Sequence, residues 1–288
     1  MISERVPRRW RGGGGLRQVG RLLLVLLLLL VSILWVLPLA WALDTALKPE
    51  AETTALPPMW IPSTWTLQAF ESVIKAGNLL RWYLNSFIIS VAVTAGVIVT
   101  SSLVAFALSR IRFSGRAFIF WFILAGIMVP GEVRVVALFY EVNMLNLVDT
   151  YWAIILPQIA SPIAVFIFKQ FFDGIPRELE ESAVMDGASR FRVYWQIWMP
   201  LSLPVITVIG ILHFVESWNN FLWPLIALTS SSMYTIPVGM ATVANGTSVR
   251  YAQEMAAAVL AAAPLVIGFA IFSRQIIRGV VGTGAIKG

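Results

Sequence analysis

The sequence contains no cysteine and a single histidine, His213. The first absence removes disulfides, thiolate metal sites and thiol nucleophiles together. The second removes any multi-histidine metal site. Charge is also scarce: Asp, Glu, Lys and Arg make up 12% of the chain, against about 25% in a soluble protein. Apolar residues fill the space, at 58% of 288 residues with a mean hydropathy of +0.81. Such a chain is embedded in a membrane. It carries no Gly-x-x-x-x-Gly-Lys-Ser/Thr run, and the glycines at 12–15 have neither that sequel nor a preceding strand, so no phosphate loop is present. A net charge of +6 here reports topology rather than a nucleic-acid partner.

Six apolar runs divide the chain and give an all-α, polytopic membrane protein with six transmembrane helices. Residues 1–21 form a basic arm with Arg5, Arg8, Arg9, Arg11, Arg17 and Arg21. The first span, 22–43, is long enough to cross about 30 Å of hydrocarbon. Its basic start and Ala40-Trp41-Ala42 imitate a secretory signal, but it exceeds the usual core of about 7–15 residues, and further spans succeed it. Residues 44–83 form an extracytoplasmic loop whose Trp60, Trp65 and Trp82 suit a bilayer interface. The remaining spans, 84–108, 117–137, 151–172, 201–228 and 255–272, make a core over 84–277. The third is expected to break at Pro130-Gly131, near its outer end. The fourth carries Pro157 and Pro162, tolerated where neighbours satisfy the freed carbonyls. A polar loop is expected over 229–253, and 278–288 form a tail.

Charge tests this count. With the N-terminus inside, sixteen of the 21 basic residues fall in inside segments, leaving Lys48, Lys75, Arg81, Arg134 and Arg250 outside. That asymmetry predicts a multi-pass protein of a prokaryotic inner membrane with both termini cytoplasmic. It also places 176–200 in the cytoplasm.

Residues 176–200 are polar and charged between two apolar spans. Pro176 suits the first position of a helix. Glu178, Glu180 and Glu181 put negative charge at its positive end. Small Ser182 and Ala183 allow close approach, and Gly187 ends the helix in a left-handed turn. A second helical stretch, 189–199, leads back to Pro200. Glu181-Ser182-Ala183, Asp186-Gly187-Ala188, Ile197 and Pro200 together resemble the "EAA" loop of ABC-importer membrane permeases. Ser182, Tyr194 and Met199 depart mildly from that pattern. The resemblance implies that 176–200 is a coupling helix docking on a cytoplasmic ATPase subunit, with Glu181, Ser182, Ala183, Asp186, Gly187 and Ala188 as the coupling residues.

The fifth span carries the other polar cluster. A central acidic residue costs roughly 3 kcal/mol to insert, so Glu216 needs a reason. His213, Glu216, Asn220 and Trp223 succeed one another at spacings of 3, 4 and 3, which places them on one helix face, with Asn219 beside them. Polar groups at this depth mark either a solute path or interhelical glue, and both readings stay open. A catalytic metal at His213 and Glu216 lacks the second histidine of His-Glu-x-x-His. The run Ser217-Trp218-Asn219-Asn220-Phe221-Leu222-Trp223-Pro224 and the ending Gly284-Ala285-Ile286-Lys287-Gly288 resemble maltose-type carbohydrate permeases.

By resemblance, the chain is therefore a permease subunit of an ATP-driven, binding-protein-dependent importer, for a sugar or oligosaccharide, with glycerol-phosphate as the rival solute. An ion-coupled secondary transporter using Glu216 is the reading from another class. The family implies a second related permease, two ATPase subunits and an extracytoplasmic solute-binding protein as partners, beside membrane lipid and without nucleic acid. It implies no catalysis and no cofactor in this chain, ATP and Mg being bound by the ATPase partners. Because the chain is free of cysteine, a single cysteine reports topology cleanly. A cysteine at position 190 is expected to resist an impermeant thiol reagent added from outside, and its labelling would reverse the orientation.

Overall fold

A backbone amide in hydrocarbon has no water to turn to, so helices are the expected solution, and among the described residues no strand occurs. The structure, a computed structural model, describes residues 14–57, 59–244 and 250–282. Most of the basic arm and the last six residues of the tail lie outside the described residues. In chain order the helices are α1 (Gly14–Ala46), α2 (Glu50–Thr53), α3 (Gln68–Ala76), α4 (Leu79–Arg110), α5 (Arg116–Ala125), α6 (Val135–Met144), α7 (Tyr151–Gln158), α8 (Pro162–Asp173) and α9 (Glu178–Met185). Then come α10 (Arg190–Val193), which runs through a π-turn (Tyr194–Trp198) into α11 (Met199–Leu201), and α12 (Leu203–Asn219), α13 (Leu222–Ala227), α14 (Ile236–Ala244) and α15 (Tyr251–Gly282).

Three helices are long and apolar enough to cross a membrane unaided: Gln18–Ala46, Leu79–Arg110 and Tyr251–Ile271. Three further spans are bent pairs. Arg116–Met128 meets Glu132–Met144 at 93°, Tyr151–Gln158 meets Pro162–Asp173 at 43°, and Arg190–Leu201 meets Leu203–Asn219 at 75°. Counted singly, the pairs bring the total to six. The third span is shorter than the sequence suggests. Extended backbone at Val129 (φ −90°, ψ 111°) precedes Pro130, which cannot donate to a helix ladder, so the span stops at Met128 and α6 leaves nearly at right angles. The first helix starts before its apolar run, at Gly14 rather than residue 22, taking in the last third of the basic arm.

The long helix α4 is the centre post, packed along α8 and α12. Its buried face mixes apolar residues with small and polar ones: Asn85, Ser86, Ser90, Ser101 and Ser102 are all nearly inaccessible. Lipid tails are as apolar as leucine, so helices in a bilayer associate through close packing and interhelical hydrogen bonds. Small side chains serve the first, and Ser102 with Tyr194 (2.7 Å) supplies the second. At the end of α4 that carries α9, Phe106, Phe172, Tyr194 and Trp198 form an edge-to-face cluster, with Phe172 and Trp198 5.3 Å apart. The second helical stretch expected over 189–199 is present, and one side of it joins the core. Val193, Tyr194 and Trp198 are each at most 1% exposed.

The opposite end has its own layer. Residues 229–253, expected as a polar loop, include α14, whose Ile236, Val238 and Met240 are buried. Ile236 and Met240 pack with Ala69, Val73, Trp82 and Ala256, because the segment Ile236-Pro237-Val238-Gly239-Met240 is itself apolar. Trp82 donates its Nε1–H to the Ser231 carbonyl (2.7 Å) and lies against Gly239. A β-carbon added at Gly239 would collide with the Trp82 ring, and the ring's hydrogen bond leaves it little room to yield. Gly239→Ala is expected to destabilise by about 1–3 kcal/mol, the usual range for overpacking. Thermal unfolding of the purified protein in detergent checks this, and an unchanged midpoint refutes it.

Candidate functional site

Three helix interruptions converge on one cavity of about 770 Å³. They are the bend after Met128, the break between α7 and α8, and the break between α12 and α13. Each must satisfy the backbone groups it frees. At the α7–α8 break, Thr100 of α4 donates to the Ile159 carbonyl (2.9 Å). Ser161 caps α8 by accepting from the Ala164 amide (3.3 Å). Ser161 Oγ is also 2.8 Å from His213 Nε2 on α12. The histidine therefore joins the fifth span to the broken fourth.

This geometry divides the roles of the fifth-span residues. His213 is buried, its Nδ1 3.4 Å from Glu216 Oε2 but without a hydrogen bond. The Glu216 side chain is 76% exposed and lines the cavity, contacting no other helix by hydrogen bond or ion pair among the described residues. His213 is thus tied to Ser161 before α8, and Glu216 faces the cavity. Asn220 also lines the cavity and reaches Gln158 (3.5 Å) across the break. The 3-4-3 helical register does not carry it there: α12 ends at Asn219, and Asn220 is extended at ψ 117°. Trp223 reaches the wall only because the chain restarts as α13, with its Nε1–H bonded to the Ala153 carbonyl (3.0 Å). Asn219 is not at the cavity; it bonds back to Val215 and is exposed elsewhere. Trp218, whose ring could have offered an apolar face, is instead buried against Tyr83 and Phe214.

Sequence reasoning missed six polar residues of this wall. Glu132, Arg134, Glu141, Gln158, Ser161 and Ser217 also line it. The signal was available in Pro130-Gly131 and in the pair Pro157 and Pro162, since irregular backbone at membrane depth belongs where it lines a cavity. Among the described residues no group of three His, Asp or Glu is placed to hold a metal ion.

The 176–200 segment is the second candidate. Its helix α9 begins at Glu178, two residues after Pro176, with Arg177 rather than the proline at the boundary. At its other end Gly187 has φ +80°. The Gly187 amide donates to Val184 O and the Ala188 amide to Ala183 O, both at 3.0 Å. This is the Schellman pattern that satisfies the last carbonyls. Ala183 and Ala188 pack against the core, whereas Glu181, Ser182, Asp186 and Gly187 form an exposed edge. Met185, 87% exposed, stands beside them.

Helices interrupted around a polar cavity, in an otherwise apolar bundle, are the build of a membrane transport protein. The family model described as "Binding-protein-dependent transport system inner membrane component" matches residues 92–281, and the chain belongs to that family. It is thus a multi-pass inner-membrane transport component, not an enzyme. It is 40% identical over 79% of its length to an arabinooligosaccharides transport system permease of Halalkalibacterium halodurans, covering 81% of that protein. It is 34% identical over 94% of its length to the permease of the same name from Bacillus subtilis, covering 97%. An sn-glycerol-3-phosphate transport system permease of Yersinia pestis is 34% identical over 86% of this chain and 89% of its own. In fold, the chain matches a component of a bacterial ABC transporter involved in import of the acidic polysaccharide alginate. The TM-score is 0.76 at 18% identity, over 93% of this chain and 99% of the other.

A side chain other than glycine's at φ +80° carries a strain of about 1–2 kcal/mol, and more for a β-branched residue. Nothing lies within 4 Å of the position to clash. Gly187→Val is therefore expected to insert and accumulate normally while reducing transport per assembled permease. Normal transport at normal abundance would remove Gly187 from the mechanism.

Proposed function

We propose that this chain is the permease subunit of an ATP-driven importer that takes a neutral sugar or oligosaccharide from an extracytoplasmic binding protein. The observation that carries this reading is the cavity at the three helix breaks. Its volume suits a solute of that size, and Gln158 and Asn220 offer hydrogen bonds that replace the water around hydroxyl groups. Trp223 borders the cavity and is 6% exposed. The arabinooligosaccharide names of two relatives support the same solute class. The wall carries three carboxylates, Glu132, Glu141 and Glu216, against one guanidinium, Arg134. That balance disfavours an anion. Arg134 is also the observation that favours the second reading, glycerol-phosphate, which the name of a third relative carries.

In this reading His213, Glu216, Asn220 and Trp223 belong to the solute path, His213 and Trp223 by holding the wall and the others by facing the solute. Asn219 drops out. The exposed edge Glu181, Ser182, Asp186 and Gly187 is the surface offered to an ATPase subunit, and Ala183 and Ala188 seat the helix on the spans. The positive-inside distribution supports a cytoplasmic position for this edge and both termini. A second permease completes the path, and two ATPase subunits bind the ATP and Mg, so this chain holds no cofactor of its own.

Glu216 separates the alternatives. Glu216→Gln keeps shape and hydrogen bonding without charge, and Glu216→Leu removes both. A neutral-solute path predicts that Gln retains most uptake per assembled complex, while Leu loses at least about tenfold at unchanged assembly. A proton-coupled transporter predicts that Gln abolishes uptake. Competition by unlabelled sugar, but not by glycerol phosphate, distinguishes the two solutes, and wild-type uptake by both variants refutes the assignment of Glu216 to the path.

A further inference from the structure

The sequence motif singles out Glu181, yet Glu181 is exposed and its neighbour Glu180 is the glutamate that faces the spans. Opposite it sits Arg110, the last residue of α4, with its side chain only 5% exposed. One Nη2 donates to two carbonyls, Phe172 O at the end of α8 and Ile175 O (2.8 Å) in the link to α9. The guanidinium lies over the Trp198 ring, 4.1 Å from its centroid, an arrangement that favours a desolvated cation. The donor nearest α9 is not engaged. Nε is buried without a hydrogen-bond partner, and Glu180 Oε2 stands 3.9 Å from it. The nearby Asp173 is already engaged by Lys169 at 2.6 Å.

Four segments therefore meet on one side chain: α4, the end of α8, α9 and the π-turn. Three of the attachments are closed and the fourth, to α9, is open by roughly 1 Å relative to an ordinary charge-assisted bond. We propose that Arg110 and Glu180 form the latch through which movement of α9 reaches the membrane spans. Pressure on the exposed edge of α9 moves Glu180 onto Nε. The closed pair then drags the rigid guanidinium, and with it the carbonyl ends of α8 and the Trp198 ring. Arg110 is a positioning residue; it touches neither solute nor nucleotide. A lysine cannot replace it, since a point charge on a flexible stem lacks the planar fork that serves two carbonyls and a carboxylate at once.

This inference rests on the proposed function, and the experiment keeps the two apart. The complete transporter, with its ATPase subunits and binding protein, is reconstituted in liposomes, and solute uptake and ATP hydrolysis are measured per assembled complex. If the unmodified complex shows no solute-stimulated hydrolysis, the importer reading itself fails and the latch with it. Given stimulation, Glu180→Gln and Arg110→Lys are each expected to lower solute moved per ATP by about fivefold, the lower end of ordinary coupling between sites, at unchanged assembly. Glu180→Asp, which keeps the charge, is expected to restore part of that ratio. Combining Glu180→Gln with Arg110→Lys should add nothing to either alone. A normal ratio for Glu180→Gln overturns the latch. So does a loss that merely tracks the amount of assembled complex, which assigns the pair to stability alone.

Discussion

A carbonyl set free in hydrocarbon must find a donor, and the arrangement of this protein depends on where such donors are. The α7–α8 break persists because Thr100 of α4 reaches the Ile159 carbonyl and Ser161 caps the restarted helix. Without them the break would leave bare polar groups at a cost of several kcal/mol each. The same serine meets His213, so satisfying the backbone also fixes where α12 lies against α8. The cavity is the space such breaks leave. Its polarity comes from the irregular backbone and the side chains that serve it, before any solute is considered.

The two ends of α4 are held by different physics. At the end near α9, aromatic packing and one buried arginine join four segments. At the other, amide and carboxylate side chains tie loops. Asn85 donates to the Ser232 and Tyr234 carbonyls (2.9 Å each) and accepts from the Tyr151 hydroxyl (2.7 Å). Asp149 receives the Thr229 and Ser230 amides at 2.9 Å. Partial burial of the Asp149 carboxyl acts to raise its pKa, but the bonds from Ser230 and Thr229 outweigh it and leave the group below the ordinary carboxylate range. By linkage, this contribution to stability is present above the ordinary range and is lost as pH falls through the lowered value. The helix α4 is the element common to both ends.

Periodic, local features were the legible ones. Span number came from apolar length, and the left-handed turn at Gly187 from the order of residues around it. The short helix before Gly187 was legible because its closing turn is local, but its start was not: α9 begins at Glu178, two residues past Pro176 and without a side-chain cap. For 190–201 the helical return was legible but its burial was not: Arg190 and Arg192 are exposed, while Val193, Tyr194 and Trp198 fill the core. The polar face of the fifth span was half right. Helical spacing holds from His213 to Glu216, then fails at Asn220, where the helix stops for reasons that lie in its neighbours. Arg110 counted in the sequence as one more inside charge, since its four partners are 62–88 residues away along the chain.

The first helix stands apart from all this. Over its apolar window none of α1 is buried by the rest of the protein, and it touches the bundle along α15. Its 33 residues make a rod of about 50 Å, against a hydrocarbon layer of about 30 Å. Apart from α15, nothing among the described residues covers its apolar window, so hydrocarbon thickness bears on its tilt. A bilayer a few ångströms thinner would lean the rod further, at fractions of a kcal/mol per Å of mismatch, and α15 is the neighbour that would feel the lean. Membrane thickness is in that sense an input to this protein, read at its edge by a helix that takes no part in lining the cavity.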